Sequence, residues 1–352
     1  MAQSPPPARP GQEGAAAPRR RPTLRDVAEA AGVAAKTVSR VVNGETGVGA
    51  ATTERVRRVI AELGYRPNSS ARTLRQGRAA TIGLVCDDVS EPFQSALTRA
   101  VEEVAIRHEC MLLVASSLHD RERERTSVQA LLARQVDGLI VTPVAGSQAY
   151  LGADIAAGTP VVFADRPAVG AEADTVLVDN VEGARRGVRH LLEQGHRRIG
   201  FVGDAPHLFT QDERVEGYRA ALRGAGVPED GRLISRQVPE SGAVRATVQS
   251  MLSGPEPVTA LFTGNALCTY AVLRALRDVG PPPALVAFDD FPLAELLHPA
   301  VTVVAQDPVG MGRTAAEILF RRIAGDTSAD QVVRLRTRLI PRGSGERAPA
   351  EG

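Results

Sequence analysis

The side chains of this 352-residue chain that could carry covalent or metal chemistry do not stand at the spacings such chemistry needs. His190 and His196 are six apart with Gly195 between them, off the i, i+4 spacing that puts two imidazoles on one helical face for a metal. Cys86, Cys110 and Cys268 are too few and too scattered for a disulfide framework or a thiolate zinc module, and they read as reduced, mostly buried thiols. No H-E-x-x-H, phosphate-binding glycine loop or G-x-S-x-G occurs. Residues 310–315 (Gly-Met-Gly-Arg-Thr-Ala) have the G-x-G-x-x-A spelling of a dinucleotide fingerprint. Asp307, Pro308 and Val309 separate them from the preceding strand, however, and close helix packing explains the glycines. No metal and no cofactor is expected, and an enzyme is disfavoured.

What remains is recognition chemistry, in two sets. The first is a polar series at the ends of apolar runs: Asp87 and Asp88, Asp165 and Arg166, Asp204, Asn265, Asp289 and Asp290. Any one of these is explained as a turn or a helix cap. Their joint placement matches a ligand cleft, because open parallel sheets bind ligands at the carboxyl ends of their strands. The second set is Ala35, Lys36, Ser39, Arg40 and Asn43, the polar side of a short helix whose other side is Val38, Val41 and Val42. Long cationic side chains on such a helix can reach O6 and N7 of guanine in a major groove. Lys36 is the only lysine among the 42 basic residues.

The elements that position the second set come first in the chain. Residues 1–78 hold 14 basic and 6 acidic residues, net +8, whereas the remainder holds 28 and 35, net −7. A basic head on an acidic body points to a polyanionic partner. Residues 1–21, rich in proline and arginine, read as a disordered basic arm, either a plain solvated tail or a source of extra phosphate contacts. Thr23 and Asp26 make a capping box for a helix whose apolar face is Leu24, Val27, Ala28 and Ala31. Gly32 ends it, a second helix follows at about 35–42, and a third at about 52–63 turns Val56, Val59, Ile60 and Leu63 inward. The order predicts an all-α helix-turn-helix head over 22–66. Residues 67–78 form a connecting segment too short to be a stable isolated helix.

From residue 81 apolar runs alternate with helical patterns, as in parallel sheets covered on both faces. The series restarts after Asn180, which predicts two α/β lobes within 79–342. Two such lobes resemble the periplasmic-binding-protein fold, and the resemblance implies three crossings between lobes, near 180, 307 and 326, with lobe 1 over about 79–179 and 308–325 and lobe 2 over about 180–306 and 327–342. Residues 343–352 read as a disordered tail. No apolar stretch reaches the roughly 18 residues of a membrane span, and the N-terminus carries no apolar export signal, so a cytoplasmic protein is expected.

Three runs then carry a specific resemblance: Thr-Leu-Arg-Asp-Val-Ala-Glu-Ala-Ala-Gly-Val (23–33), Thr-Val-Ser-Arg-Val-Val-Asn-Gly (37–44) and Glu-Leu-Gly-Tyr-Arg-Pro-Asn (62–68). Together they resemble the LacI/GalR family of bacterial transcription regulators, and the likeness continues to about residue 341. The resemblance implies a head on double-stranded operator DNA and a periplasmic-binding-protein-like effector domain. Ala35, Lys36 and Arg40 then sit at base-reading positions, and Thr23, Thr37, Ser39 and Asn43 at backbone contacts. Residues 67–78 match the family's hinge helix, in which Leu74 is either a minor-groove wedge or a packing residue. Phe93, Asp165, Arg214, Asn265 and Asp289 match effector contacts, the effector being a sugar or another small metabolite. Some positions depart from the family. Ala34 and Gly49 replace serines, Glu91 an asparagine, Gln94 a phenylalanine and Ala266 an aspartate, while Val238 stands where many members carry an aromatic. Head symmetry implies a pseudo-palindromic operator and a homodimer. No leucine-heptad segment follows the last strand, so a dimer is expected rather than a tetramer. The rival readings are a solute-binding protein and a sugar-processing α/β enzyme.

Overall fold

The computed structural model describes residues 22–66 and 79–349, apart from 145, 207, 240, 241 and 278. The chain divides into two compact units, Met1–Gly77 and Arg78–Gly352. The arm expected over 1–21 and the hinge segment over 67–78, Leu74 included, lie outside the described residues.

In the first unit local chemistry sets each helix boundary. Helix α1 (Leu24–Ala31) opens on the Thr23–Asp26 capping box: Thr23 Oγ1 accepts from the Asp26 N–H, and the Asp26 carboxylate accepts from the Thr23 N–H at 2.6 Å. Gly32, at φ +62°, supplies the left-handed residue that turns the chain out of α1. Helices α2 (Ala35–Val42) and α3 (Ala50–Leu63) start at Ala34 and Gly49, and neither position has a side chain that caps the helix. The core is Val27, Ala28, Ala31, Val38, Val41, Val56 and Val59, with Leu24, Val42 and Ile60 packed against it. Leu63, expected to face inward, is 38% exposed.

The second unit contains two six-stranded sheets. Lobe 1 uses β1 (Thr81–Cys86), β2 (Met111–Ser116), β3 (Leu139–Val141), β4 (Val161–Ala164), β5 (Asp174–Val178) and β11 (Val332–Leu335), in the order β11-β5-β4-β3-β1-β2. Lobe 2 uses β6 (Ile199–Gly203), β7 (Ile234–Arg236), β8 (Ala260–Thr263), β9 (Ala284–Phe288), β10 (Thr302–Ala305) and β12 (Arg338–Ile340), in the order β12-β10-β9-β8-β6-β7. All pairings are parallel except that of β10 with β12. The inner strands are buried apolar runs because helices cover both faces, whereas the edge strands β2, β7, β11 and β12 are partly exposed. In lobe 1, α4 (Pro92–Arg107) and α11 (Pro308–Ile323) pack together on the sheet through Leu97, Val101, Met311, Ala315 and Leu319. Gly312 belongs to this contact, since a β-carbon there would stand 3.0 Å from Ala100 Cβ. Asp307 caps the same helix at the Gly310 N–H, 2.8 Å away. Within 310–315, Gly312 is therefore a packing position and Gly310 part of the helix cap. In lobe 2, α7 (Asn180–Glu193) lies against α8 (Phe209–Gly224) over Phe201, Tyr218, Phe262 and Phe288.

Two expectations about boundaries are corrected. The chain leaves lobe 1 after β5 and returns with α11, but its third crossing is not near 326. Val332–Leu335 pairs with β5 in lobe 1, and Arg338–Ile340 pairs with β10 in lobe 2. The crossing therefore falls at Arg336 and Thr337, and lobe 1 extends to 335. The segment after 342 is also not a free tail as far as 349. Ser344 is buried: its hydroxyl donates to the Leu285 carbonyl at 2.6 Å and accepts from the Thr302 N–H at 2.8 Å. Glu346 meets His190 and the Thr302 hydroxyl, and His196 Nε2 lies 2.8 Å from the Arg347 carbonyl oxygen. These bonds complete polar groups of lobe 2 that would otherwise be buried without partners. Among the described residues no helix is long and apolar enough to cross a membrane.

Candidate nucleic-acid interface and ligand cleft

On α2 the buried Val38 and Val41 fix which side faces out. Ala35, Lys36 and Asn43 are exposed, and Thr37, Ser39 and Arg40 are half-buried. Thr23 sits at the N-terminus of α1, half-buried and engaged in its capping box. Lys36, Arg40 and Asn43 follow at helical spacing along one face. Arg40 is not idle there: its Nε lies 3.7 Å from the Glu45 carboxylate. Asn43 Nδ2 donates to Ser39 Oγ at 3.4 Å and to Glu45 Oε1 at 3.5 Å. Glu45 was not singled out from sequence. It orients the donors of this face through exposed contacts that contribute little stability and exchange readily for other partners.

In the second unit the two sheets turn their carboxyl ends toward one cavity. Phe93, Asp165, Arg214, Asn265 and Asp289 all line it. Phe93 is carried by α4, and Asp165 follows β4. Arg214 comes from helix α8. Asn265 and Asp289 follow β8 and β9. Asp165 and Asp289 hold φ of +68° and +74°, a left-handed backbone that is costly for a residue with a side chain. Each donates its N–H to the next strand, Asp165 to Val176 and Asp289 to Val304. The two lobes thus present a carboxylate in the same way.

Most polar groups of the lobe 2 wall are hydrogen-bonded to one another. Arg214, 3% exposed, lies over the Phe288 ring at 3.9 Å, and donates to Asn180 Oδ1 at 2.9 Å and the Gly264 carbonyl at 2.6 Å. Asn265 caps α10 (Ala266–Leu276) by accepting from the Cys268 N–H, and donates to Asp204 at 2.8 Å. Asp289 accepts from the Ala266 N–H and from Gln306.

On the lobe 1 wall Asp87 is fully buried behind the lining and accepts from Arg166 Nη2 at 2.6 Å and from the His119 N–H at 3.0 Å. Burial pushes the Asp87 carboxyl up, but the Arg166 guanidinium and the His119 hydrogen bond outweigh it and hold the group well below the usual carboxylate range. His119 is shifted the other way, its proton retained by the hydrogen bond to Asp87. Burial raises the Asp165 carboxyl despite Arg166 and Arg214 nearby. Glu91 is pushed up to about 8 by burial, with Asp87 and Asp289 adding to the effect.

Of the other polar residues read at strand ends, Arg166 and Asp204 line the cavity. Asp88 lies in a neighbouring hollow with Leu118 and Tyr270. Asp290 turns away to a two-pronged ion pair with Arg342, 2.7 Å on each side. Val238 is 52% exposed and does not line the cavity. Sequence reasoning missed His119, Gln211 and Gln306 as lining residues. His119 and Gln306 both follow strands, so the strand-end rule would have found them.

Comparison with known proteins places this geometry. A family model described as "Bacterial regulatory proteins, lacI family" matches residues 23–68, and one described as "Periplasmic binding protein-like domain" matches 188–345. The HTH-type transcriptional regulator CelR of Thermobifida fusca is 35% identical over 339 residues, covering 93% of this chain and 99% of its own. The HTH-type transcriptional repressor CytR of Escherichia coli K12 is 30% identical, covering 93% and 97%. Among solved structures, the lac repressor dimer bound to operator and the anti-inducer ONPF aligns with TM-score 0.77 and 26% identity over 93% of this chain and 99% of its own. The CelR–cellobiose complex aligns with TM-score 0.69 and 32% identity over 92% and 100%. With a helix-turn-helix head, a two-lobed α/β unit and relatives that are regulators rather than enzymes, the chain belongs to the LacI family of bacterial transcriptional regulators.

Proposed function

We propose that this regulator is a cytoplasmic repressor that binds a pseudo-palindromic operator as a homodimer and changes its operator affinity when a small polar effector, a sugar, enters the cleft. The observation that carries this reading is the convergence of Phe93 and Asp165 from lobe 1 with Arg214, Asn265 and Asp289 from lobe 2 on one cavity. A ligand touching both walls changes the relative stability of open and closed lobes, and that difference is what shifts an equilibrium at a second site. The solved relatives support both halves: one carries operator, another cellobiose. Lys36 and Arg40 read base edges, Ala35 meets a thymine methyl or leaves its step unread, and Thr23, Thr37, Ser39 and Asn43 hold the backbone. Leu74 enters the minor groove as a wedge.

Selection of binding sites from random duplexes, followed by mobility shift with and without sugars, tests the proposal. The recovered sites have two-fold symmetry, and a saturating effector changes affinity about 5–150-fold, the usual range of such coupling. Leu74→Ala weakens the selected site and reduces its bending while leaving the melting temperature of the free protein unchanged. Asymmetric sites, or bending unaltered by Leu74→Ala, would refute the corresponding part.

A further inference from the structure

The cleft is richer in acceptors than in donors. Glu91, Asp165, Asp204 and Asp289 line it. Its two guanidinium groups already serve the protein, Arg166 on Asp87 and the Pro143 carbonyl, Arg214 on Asn180 and the Gly264 carbonyl. His119 faces Asp87. Asp204 and Asp289 also accept from the protein, and one buried donor, Arg166 Nε, 3.3 Å from the Asp165 carboxylate, has no hydrogen bond; the other buried cleft atoms without a partner are acceptors. Gln94 lines the cavity at 2% exposure, and its Oε1 has no hydrogen-bond partner. Gln306 Oε1 is likewise buried and unpartnered. A buried acceptor without a partner costs free energy that a ligand's donor recovers.

We propose that the ligand is an amino sugar, a cyclic polyol with a primary amine, its ammonium on the Glu91 and Gln94 side and its hydroxyls toward Arg214, Asn265 and Asp289. The proposal rests on the effector-cleft reading above. An ammonium brings three donors and no acceptor, which is what unpartnered oxygens and carboxylates require. A neutral sugar brings as many acceptors as donors, and an anion meets four carboxyl side chains. The free cleft disfavours the ionised form of Glu91, whose carboxyl is pushed up to about 8 by burial and by Asp87 and Asp289. A ligand cation beside it restores the charge, and charge-assisted hydrogen bonds are about twice as strong as neutral ones.

Titration calorimetry of the full chain at pH 7 tests this with D-glucosamine and the β-1,4-linked glucosamine disaccharide against D-glucose and cellobiose. The amino compounds bind at least tenfold more tightly than their hydroxyl counterparts, a difference of about 1.4 kcal/mol. Glu91→Gln removes that preference while retaining a cooperative melt, and N-acetylation of the sugar removes it in the native protein. Equal or tighter binding of D-glucose or cellobiose overturns the amine while leaving the cleft as an effector site. Heats from none of the four overturn both. An undiminished preference in Glu91→Gln overturns the assigned seat.

Discussion

Removal of the Asp87 carboxylate strands a buried cation. Asp87 is fully buried and Arg166 8% exposed, and they are joined at 2.6 Å. In Asp87→Ala the guanidinium keeps the Pro143 carbonyl and the Asp165 carboxylate, 3.3 Å from Nε, and loses its shortest partner. Breaking one side of a buried pair costs about 3–5 kcal/mol. At roughly 2–3 °C per kcal/mol for a unit of this size, the melting temperature falls by about 6–15 °C. The assay is a circular-dichroism melt at pH 7 of native protein, Asp87→Ala, Arg166→Met and the double variant Asp87→Leu with Arg166→Met. The double variant recovers much of the loss, because an apolar pair of similar volume leaves no unpaired charge. The sign with pH is fixed by the depressed carboxyl. Its contribution is complete above the ordinary value of 3.8 and is lost as pH falls below it, so the gap between native and Asp87→Ala narrows in acid. A loss under about 1 kcal/mol, or a double variant no better than the singles, refutes the argument.

Other consequences can be checked separately. Arg40→Ala weakens the selected operator by about 1–3 kcal/mol and random DNA far less, as read by mobility shift; equal losses on both make Arg40 a phosphate contact only. Gly217 sits where α8 meets α7, and a β-carbon there would stand 2.7 Å from Ala184 Cβ and nearer still to the Val181 carbonyl oxygen. Gly217→Ala therefore destabilises by about 1–3 kcal/mol in a thermal melt, without changing the affinity of the separate head for DNA. Glu91, raised from 4.5 to about 8, stabilises the fold fully below 4.5 and loses that contribution as pH rises through 8. The melting temperature of Glu91→Gln relative to native protein accordingly climbs between pH 5 and pH 8 and levels off above that; a pH-independent difference would contradict the assignment.

Most of the head was legible because its determinants are local. The Thr23–Asp26 box, the αL glycine and the Val38 and Val41 spacing each act within one or two helical turns. The cleft was legible for a topological reason, since strand ends in parallel sheets converge wherever the strands themselves can be read. The two failures over boundaries share a cause. The run from Val332 to Ile340 is one extended stretch in sequence, and only pairing with β5 on one side and β10 on the other divides it between lobes. The segment after 342 is rich in glycine, serine and charge, and so looks solvated. Its partners Leu285, Thr302 and His190 lie far away in sequence, where no local pattern announces them.

Lys36 stands exposed at the start of α2 in a chain whose other basic side chains are all arginine. A lysine-acylating reagent therefore has a single side-chain target, and it lies on the face proposed to enter the groove. Bound DNA would shield it, and release would unmask it. The fraction of Lys36 that reacts in a short pulse becomes a count of occupied heads, readable as one mass difference on one peptide. The same measurement works in a mixture of operators and sugars without a fluorophore or an engineered cysteine. Arginine elsewhere keeps the background silent, so an accident of composition turns the recognition helix into its own reporter.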